Sequence, residues 1–165
     1  MKVLDEIHVL VPGRLNEHAL RRIQDTFALE AIPTGDAKLV TSRMAEGVRG
    51  IASMAPVDAA LIDALPRLEV IANFGVGYDA VDAAHAARKG IMVTNTPDVL
   101  TEEVADTALG LLINTVRELP KAEKWLREGH WPKEGSYPLA GTTLRGRRAG
   151  MFGMGRIGTA IARRL

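Results

Sequence analysis

The chain has 165 residues, of which 47% are hydrophobic and 25% charged, and its formal net charge is +1. This length suits one domain, or one domain and part of another, with enough apolar side chain for a core. A charge so close to zero gives no electrostatic reason to expect binding to nucleic acid or to an anionic membrane. The chain contains no cysteine, which excludes a disulfide framework and thiolate chemistry.

The N-terminal segment does not have the character of a signal peptide. MKVLDEIHVLVPG carries Asp5, Glu6 and His8 within its apolar run. The most apolar later stretch, ALGLLINTV at 108–116, is about half the length that spans a bilayer. We therefore expect a cytoplasmic protein without a membrane partner.

Short β-rich runs alternate with helical patterns through the first part of the chain. The patterns predict strands at 7–11, 50–54, 68–74 and 91–95, and helices at 16–27, 57–65 and 79–90. Residues 28–49 are ambiguous, and we place one strand there, around Lys38–Thr41. Gly90 is positioned to end the third helix, because glycine readily adopts the left-handed conformation of a C-terminal cap. Such alternation predicts a parallel, doubly wound α/β sheet.

A different pattern begins at NTPDVLTEEVADTALGLLINTVRELPKAEKWLREG. Thr101 is the predicted N-cap of a long helix, with acidic residues in its first turns. Apolar residues cover most of the helix surface up to Val116, which predicts a position between domains or between subunits. Pro120 is expected to begin the next helix and Gly129 to end it. Residues 147–153 are predicted to form a strand, and we divide the chain into 1–98 and 99–165.

A glycine motif follows this last predicted strand. Gly153-Met154-Gly155-Arg156-Ile157-Gly158 matches G-x-G-x-x-G and opens a predicted helix, as dinucleotide-binding loops do. The glycines would permit a tight turn, close approach of a pyrophosphate, and close packing of helix on strand. The alternative is a glycine-rich turn that binds no ligand. The acidic residue that usually supports such a site lies about 20 positions further on, past residue 165.

A second glycine turn, NFGVGYD at 73–79, stands between a predicted strand and a predicted helix. Gly75 and Gly77 flank Val76, so successive backbone N–H groups could form a site for an anion. The alternative is a plain turn. Ligands of open α/β sheets bind beyond the carboxyl ends of the strands, where both glycine turns are expected. A pyrophosphate site and a small-anion site together suggest a dinucleotide enzyme that acts on an acid.

The histidines and the acidic residues offer no further site. None of the four histidines has a carboxylate at triad or metal-ligand spacing, and we give each an ordinary surface or core role: His8, His18, His85 and His130. No H-E-x-x-H, paired-histidine or calcium-loop spacing occurs, so we predict no metal site.

Three segments, in this order and spacing, resemble the D-isomer-specific 2-hydroxyacid dehydrogenases: NFGVGYDAVD, GIMVTNTPDVLTEEVADTALGLLI and LRGRRAGMFGMGRIGTAIARRL. The glyoxylate/hydroxypyruvate reductase branch, with the hydroxyphenylpyruvate reductases, is the most similar. The resemblance covers essentially the whole chain. It implies a flavodoxin-like substrate domain, 1–98, followed in 99–165 by an interdomain and dimer helix and the start of a Rossmann NAD(P)-binding domain. It also implies a homodimer built around the long helix.

The resemblance assigns roles to particular residues. The backbone of Val76 and Gly77 would bind the substrate carboxylate. The implied reaction is hydride transfer between NAD or NADP, with NADP slightly favoured, and a small 2-keto or 2-hydroxy acid such as glyoxylate or hydroxypyruvate. In the family an arginine orients the acid and a histidine–glutamate pair exchanges the proton, and no position of this chain matches these catalytic residues. The implied cofactor contacts are Val104 at the nicotinamide end, and Gly153, Gly155, Arg156, Ile157 and Gly158 along the pyrophosphate.

Two complete domains of ordinary size need a chain roughly twice as long. We therefore expect these residues to be the N-terminal half of a longer enzyme and to be inactive by themselves. Two alternatives stay open, namely a non-catalytic dinucleotide-sensing module of corepressor type and a truncated remnant. The choice of 2-hydroxy acid and the choice between NAD and NADP also stay open.

Overall fold

The computed structural model describes residues 4–137 and 141–165, and the chain divides into two compact units, Met1–Val99 and Leu100–Leu165. The first unit contains a parallel sheet whose strands, in spatial order, are β2, β1, β3, β4 and β5. This is the 2-1-3-4-5 order of flavodoxin-like folds, so the predicted α/β class is confirmed. The strands are β1 Leu4–Pro12, β2 Phe27–Ile32, β3 Val48–Ser53, β4 Val70–Asn73 and β5 Met92–Thr94.

Four α-helices connect these strands, and each begins where a polar side chain accepts a hydrogen bond from the first turn. Gly90, with a φ of 73°, follows the last of them and adopts the predicted left-handed conformation. The helices, each with its capping residue, are α1 Glu17–Thr26 (Asn16), α2 Ser42–Gly47 (Thr41), α3 Ala59–Asp63 (Asp58) and α4 Ala83–Arg88 (Asp82).

The core of the first unit is built on rows of apolar residues that cross the sheet. Leu10 pairs in register with Ile51, which pairs with Ile71 on the next strand. In-register neighbours project from the same face of a sheet, so these side chains form one continuous apolar row. All three are buried in the same cluster as Leu61 and Ile62 of α3. The helices α3 and α4 thus cover this face, which fixes the carboxyl ends of β4 and β5.

Residues 28–49, whose secondary structure was ambiguous from the sequence, differ from the prediction. The strand placed around Lys38–Thr41 is wrong, because Ala37–Leu39 form a 3₁₀ turn whose N–H at Lys38 donates to Asp36 Oδ1 at 2.9 Å. Local side-chain-to-backbone bonds of this kind compete with strand formation. The missed strand is β2, Phe27–Ile32, which pairs with β1 and is stabilised by that long-range pairing.

The described part of the second unit is helical. Its elements are α5 Thr101–Arg117, α6 Leu119–Arg127, α7 Trp131–Glu134 and α8 Arg156–Ala162. The predicted N-cap at Thr101 is wrong, since Leu100 holds that position without a side-chain bond and Thr101 is already helical. Glu118, with a φ of 53°, ends α5 and leads into α6. Pro120 lies in the first turn of α6, and Gly129, with a φ of 77°, follows its end, as predicted.

The strand predicted at 147–153 is also wrong. These residues form no strand, and the described residues of the second unit contain no other strand that could pair with them. A lone strand would leave its N–H and C=O groups without ladder partners, so the segment adopts an irregular path into α8. Within the described ranges, no helix is long and apolar enough to cross a membrane.

Candidate functional site

The turn after β4 is held through its carbonyl oxygens. The side-chain amide of Asn73, which is 7% exposed, donates to the carbonyl oxygens of Gly75 at 3.2 Å and Gly77 at 2.8 Å. The amide of Asn95, just past β5, donates to the carbonyl oxygen of Val76 at 2.8 Å. Two side chains from adjacent strand ends therefore bind three consecutive carbonyls of one short turn.

A backbone bond completes this arrangement. The N–H of Thr96 donates to the carbonyl oxygen of Gly75 at 2.9 Å. By contrast, the N–H groups of Val76 and Gly77 donate to no acceptor among the described residues. Val76 is partly exposed and Gly77 is exposed. The turn consequently offers two N–H donors to a ligand, while its carbonyl oxygens are already occupied.

Neither glycine of this turn has a positive φ, and only position 77 is tightly packed. A Cβ at position 77 would lie 3.2 Å from the Oδ2 atom of Asp79, and one at position 75 would lie 3.4 Å from the Nδ2 atom of Asn73. The turn therefore lacks the alternating right- and left-handed backbone of an anion-binding nest. Its two N–H donors are arranged by the bonds to its carbonyls instead.

Apolar surface adjoins the turn. Phe74 is 45% exposed and Tyr78 is 53% exposed, one on each side of it. A groove of about 690 Å³ runs over the sheet beside α1 and reaches Asn73, Phe74 and Thr96. The site therefore has a polar backbone floor and partly exposed aromatic neighbours, an arrangement suited to a small organic acid.

The G-x-G-x-x-G segment forms a tight loop at the start of α8. Gly153 has a φ of 98°, a conformation that side-chain-bearing residues rarely adopt. A Cβ at position 158 would overlap the carbonyl oxygen of Gly153, so this position requires glycine. A Cβ at position 155 would meet no atom within 4 Å, which means that the backbone there is open to a ligand. These three features fit the strained turn, the close packing and the accessible backbone that a pyrophosphate requires.

The remaining predicted cofactor residues lie in the same unit. Ile157 is 36% exposed in the first turn of α8, beside the exposed Arg156, and Val104 is 40% exposed in the first turn of α5. The two helices are joined by Arg164, whose guanidinium donates to Glu102 at 2.7 Å and to Asp106 at 2.6 Å. These acceptors flank Val104 on α5, so the ion pairs tie the start of α5 to α8.

Two histidines have carboxylate partners that their sequence spacing does not indicate. His8 Nδ1 lies 3.0 Å from Glu30 of β2, and His85 Nε2 lies 2.9 Å from Asp63. Both pairs are 22 residues apart in sequence, so only the folded sheet and helices bring them together. The pKa of Asp63 is lowered, first by the hydrogen bond from Lys89 and then by that from His85.

His130 also has a carboxylate partner in the structure, and this partner lies close to it in the sequence. Its Nδ1 lies 2.7 Å from Glu134, four residues later. This hydrogen bond is the main cause of the raised pKa of His130. The imidazole also stacks on Trp125, with ring centroids 5.6 Å apart. Neither glycine turn contains a histidine, and among the described residues no cluster of three or more His, Cys, Asp or Glu is placed to hold a metal ion.

Fold and sequence together define a protein class. Residues 9–162 match the D-isomer-specific 2-hydroxyacid dehydrogenase, catalytic domain, and the chain belongs to this family. The family expected from the three sequence segments is thus confirmed.

Individual members of the family are also similar to this chain. The chain is 41% identical over 165 residues to a glyoxylate/hydroxypyruvate reductase A of Arabidopsis thaliana, covering 98% of this chain and 52% of that protein. It is 48% identical over 122 residues to a hydroxyphenylpyruvate reductase of Plectranthus scutellarioides, covering 73% of this chain and 38% of the relative. The chain thus spans about half the length, or less, of these curated relatives.

The fold is also that of a solved enzyme. The NADPH-dependent glyoxylate/hydroxypyruvate reductase of Sinorhizobium meliloti, in complex with NADP and malonate, is 56% identical and superimposes with a TM-score of 0.91. The match covers 97% of this chain and 50% of that structure. The comparisons lend no support to the corepressor alternative.

Proposed function

We propose that this chain supplies the substrate-binding half and the first phosphate-binding loop of an NADPH-dependent reductase of glyoxylate or hydroxypyruvate. The observation that carries the proposal is the turn after β4, where the N–H groups of Val76 and Gly77 face no acceptor among the described residues and the carbonyls of residues 75–77 are all bound. Such a turn suits a carboxylate. The Sinorhizobium meliloti relative, an NADPH-dependent enzyme in complex with NADP and malonate, supports the choice of cofactor and of a small acid.

The acid binds through the backbone of Val76 and Gly77. Two N–H groups donate to its carboxylate, and hydrogen bonds to a charged acceptor are stronger than bonds between neutral groups. The partly exposed Phe74 and Tyr78 limit the access of water beside the turn. The donors are fixed before the acid arrives, so little ordering is required on binding.

The loop from Gly153 to Gly158 would hold the cofactor pyrophosphate. The open backbone at Gly155 allows phosphate oxygens to approach, and the first turn of α8 has N–H groups without intrahelical acceptors. Val104 faces the nicotinamide end. When bound, the cofactor supplies the hydride that reduces the carbonyl carbon of the acid. Residues 1–98 then form the substrate domain, and 99–165 begin the cofactor domain.

The long helix α5 supports a homodimer. Leu111 is 62% exposed and Ile113 is 36% exposed, and Ala105 is the buried residue among those described on this helix. Residues two apart project from nearly opposite sides of a helix, so apolar side chains are exposed on more than one side of α5 and need cover from another chain or domain. The absence of cysteine and the use of NADPH suit a cytoplasmic enzyme.

We assign the exchange of a proton with the substrate to residues outside 1–165. His8 and His85 are bound to carboxylates away from the glycine turns, and His130 is bound by Glu134. The relatives named above are about twice as long as the part matched here, which leaves room for such residues. We therefore expect residues 1–165 by themselves to catalyse no turnover.

The test is steady-state kinetics on the complete gene product. We expect oxidation of NADPH with glyoxylate and with hydroxypyruvate, at a higher kcat/KM than with NADH. Pyruvate and a keto acid with a large side chain serve as comparison substrates. The absence of turnover with both small acids, using either cofactor, would contradict the proposal.

A further inference from the structure

The bonding of the turn after β4 has a consequence for the direction of its N–H groups. The peptide units between Gly75 and Val76 and between Val76 and Gly77 are trans, since the described chain contains no cis peptide bond. In a planar trans peptide, the C=O of one residue and the N–H of the next point in opposite directions. A hydrogen bond that holds the C=O of one residue therefore also fixes the direction of the N–H of the next residue.

Each carbonyl of the turn has identifiable donors, two for Gly75 and one for Val76. Asn73 and the N–H of Thr96 hold the carbonyl of Gly75, and the N–H of Val76 must then point away from them. Asn95 holds the carbonyl of Val76, at 2.8 Å, and the N–H of Gly77 must point away from Asn95. Both N–H groups are thus directed away from the strand ends.

Local backbone preference does not explain this orientation. Neither glycine has a positive φ, and the turn lacks a nest conformation that would by itself converge the N–H groups. Asn73 is nearly buried and uses one amide nitrogen for two carbonyls. Removing the Asn95 amide would leave the Val76 carbonyl without its donor and allow the Val76–Gly77 peptide plane to rotate. Removing the Asn73 amide would leave the Gly77 carbonyl without its donor, while the Gly75 carbonyl would keep the bond from the N–H of Thr96.

We propose that Asn73 and Asn95 are positioning residues that orient the Val76 and Gly77 N–H groups toward the substrate carboxylate. This inference rests on the proposed function, because it names what makes that anion site rigid. Neither side chain touches the acid. Their effect passes through the peptide planes, as with outer-shell residues that hold a binding group in productive geometry.

The principal test is Asn95→Asp in the complete gene product. Aspartate has the shape of asparagine, but an ionised carboxylate accepts and cannot donate to the Val76 carbonyl. We expect KM for glyoxylate to rise about tenfold or more, because small misplacements of binding groups are costly, while KM for NADPH changes less than about twofold. Asn73→Ser is the second variant, and it should raise the same KM by a smaller factor, because the N–H of Thr96 still holds the Gly75 carbonyl.

The pH dependence gives a signature that a general structural defect would not produce. Protonated aspartic acid regains an O–H donor. The KM ratio of Asn95→Asp to wild type should therefore fall as the pH is lowered from about 8 to about 5, towards the ordinary carboxyl range. Asn16→Ala is the matched control. It removes the N-cap of α1, where Asn16 accepts from His18 and Ala19, and lowers stability without changing KM for glyoxylate.

Calorimetric titration with oxalate distinguishes the positioning role of Asn73 and Asn95 from the proposed reductase activity. If wild type turns over and Asn95→Asp has an unchanged KM, the positioning role is overturned and the reductase stands. If wild type has no turnover but binds oxalate, and Asn95→Asp binds it at least about tenfold more weakly, the positioning role stands without the reductase. If wild type binds no oxalate and has no turnover, both proposals fail.

Discussion

The carbonyl oxygen of Gly153 occupies the space that a Cβ on residue 158 would need. Gly153 itself has a φ of 98°, so both ends of the loop require glycine, for different reasons. Gly155, between them, has open space around it. The loop therefore combines two positions constrained by the fold with one that the fold leaves accessible.

Alanine substitutions should separate these two kinds of glycine. Gly158→Ala is expected to lower the free energy of unfolding by about 1–3 kcal/mol, because the added methyl group must displace the Gly153 carbonyl. Gly155→Ala should cost no more than about 1 kcal/mol, the usual range for an N-cap position. Even so, if the loop binds the pyrophosphate as proposed, it should raise the Kd for NADPH about tenfold, since the methyl group would occupy the open space beside the backbone at this position.

Urea unfolding and NADPH titration measure both effects. Gly150→Ala is the control, because a Cβ at position 150 also meets no atom within 4 Å but lies outside the loop. It should change neither quantity. If Gly155→Ala binds NADPH as tightly as wild type, the assignment of the pyrophosphate to this loop is incorrect.

Asp63 should make stability depend on pH in the acid range. It ends α3, accepts hydrogen bonds from Lys89 and from His85 of α4, and has a lowered pKa. A carboxyl with a lower pKa in the folded state stabilises the fold above its unfolded pKa of about 3.9 and loses this contribution as the pH falls through its folded value. Asp63→Asn should therefore lower the urea midpoint at neutral pH.

The difference in urea midpoint between wild type and Asp63→Asn should be constant near neutral pH and should become smaller only at acid pH. Asp25→Asn provides the comparison, since Asp25 is exposed on α1 and no ion pair is recorded for it among the described residues. That control should leave the urea midpoint at neutral pH close to that of wild type. A difference between wild type and Asp63→Asn that grew on acidification would reverse the predicted sign.

His130 should titrate above the ordinary histidine range. Its pKa is raised, mainly by the hydrogen bond to Glu134, and its ring stacks on Trp125. A raised folded pKa stabilises the fold fully below the unfolded value of about 6.5 and loses that contribution as the pH rises through the folded pKa. Protonated imidazole quenches stacked indole, so the fluorescence of Trp125 should increase on deprotonation.

Fluorescence titration of the complete gene product tests this assignment. His130→Gln should abolish a transition whose midpoint lies above 6.5, the ordinary histidine pKa. Trp125→Phe should remove the same signal, and His18→Gln should leave it unchanged. A transition that survives in His130→Gln would assign it to another group.

The apolar row across the sheet should dominate the stability of the first unit. Ile71 is 0% exposed and pairs with Ile51 on one side and Val93 on the other. Ile71→Ala should lower the free energy of unfolding by about 2–5 kcal/mol, through lost burial and the cavity that remains. Met92→Ala, at a position 64% exposed on the neighbouring strand, should change it by less than about 0.5 kcal/mol.

The sequence predicted those strands whose own pattern is strongly apolar. The stretches predicted at 7–11, 50–54, 68–74 and 91–95 overlap β1, β3, β4 and β5 in that order, and the last three extend one or two residues past the strand ends. The strand β2 was missed because it follows α1 directly, without an intervening turn that would mark its start, and because it is stabilised by pairing with β1, a contact distant in sequence. The strand predicted at 147–153 was wrong because the described residues of the second unit offer no neighbouring strand for RRAGMFG to pair with.

The candidate site likewise has one part that the sequence predicts and one part that it does not. The glycine loop was predictable, because Gly153 and Gly158 are required by local turn geometry that the motif encodes. The roles of Asn73 and Asn95 were not predictable. Their amides meet the turn only when β4 and β5 lie side by side, which no spacing along the chain expresses.

The most direct test of the proposed reduction follows an isotope. The complete gene product is incubated with glyoxylate and NADPH deuterated at the transferring position of the nicotinamide, and the glycolate is analysed by mass spectrometry. The account predicts that glycolate carries one deuterium at C2 per NADPH oxidised, as hydride transfer to the keto carbon requires. Glycolate without deuterium, or no glycolate at all, would contradict it.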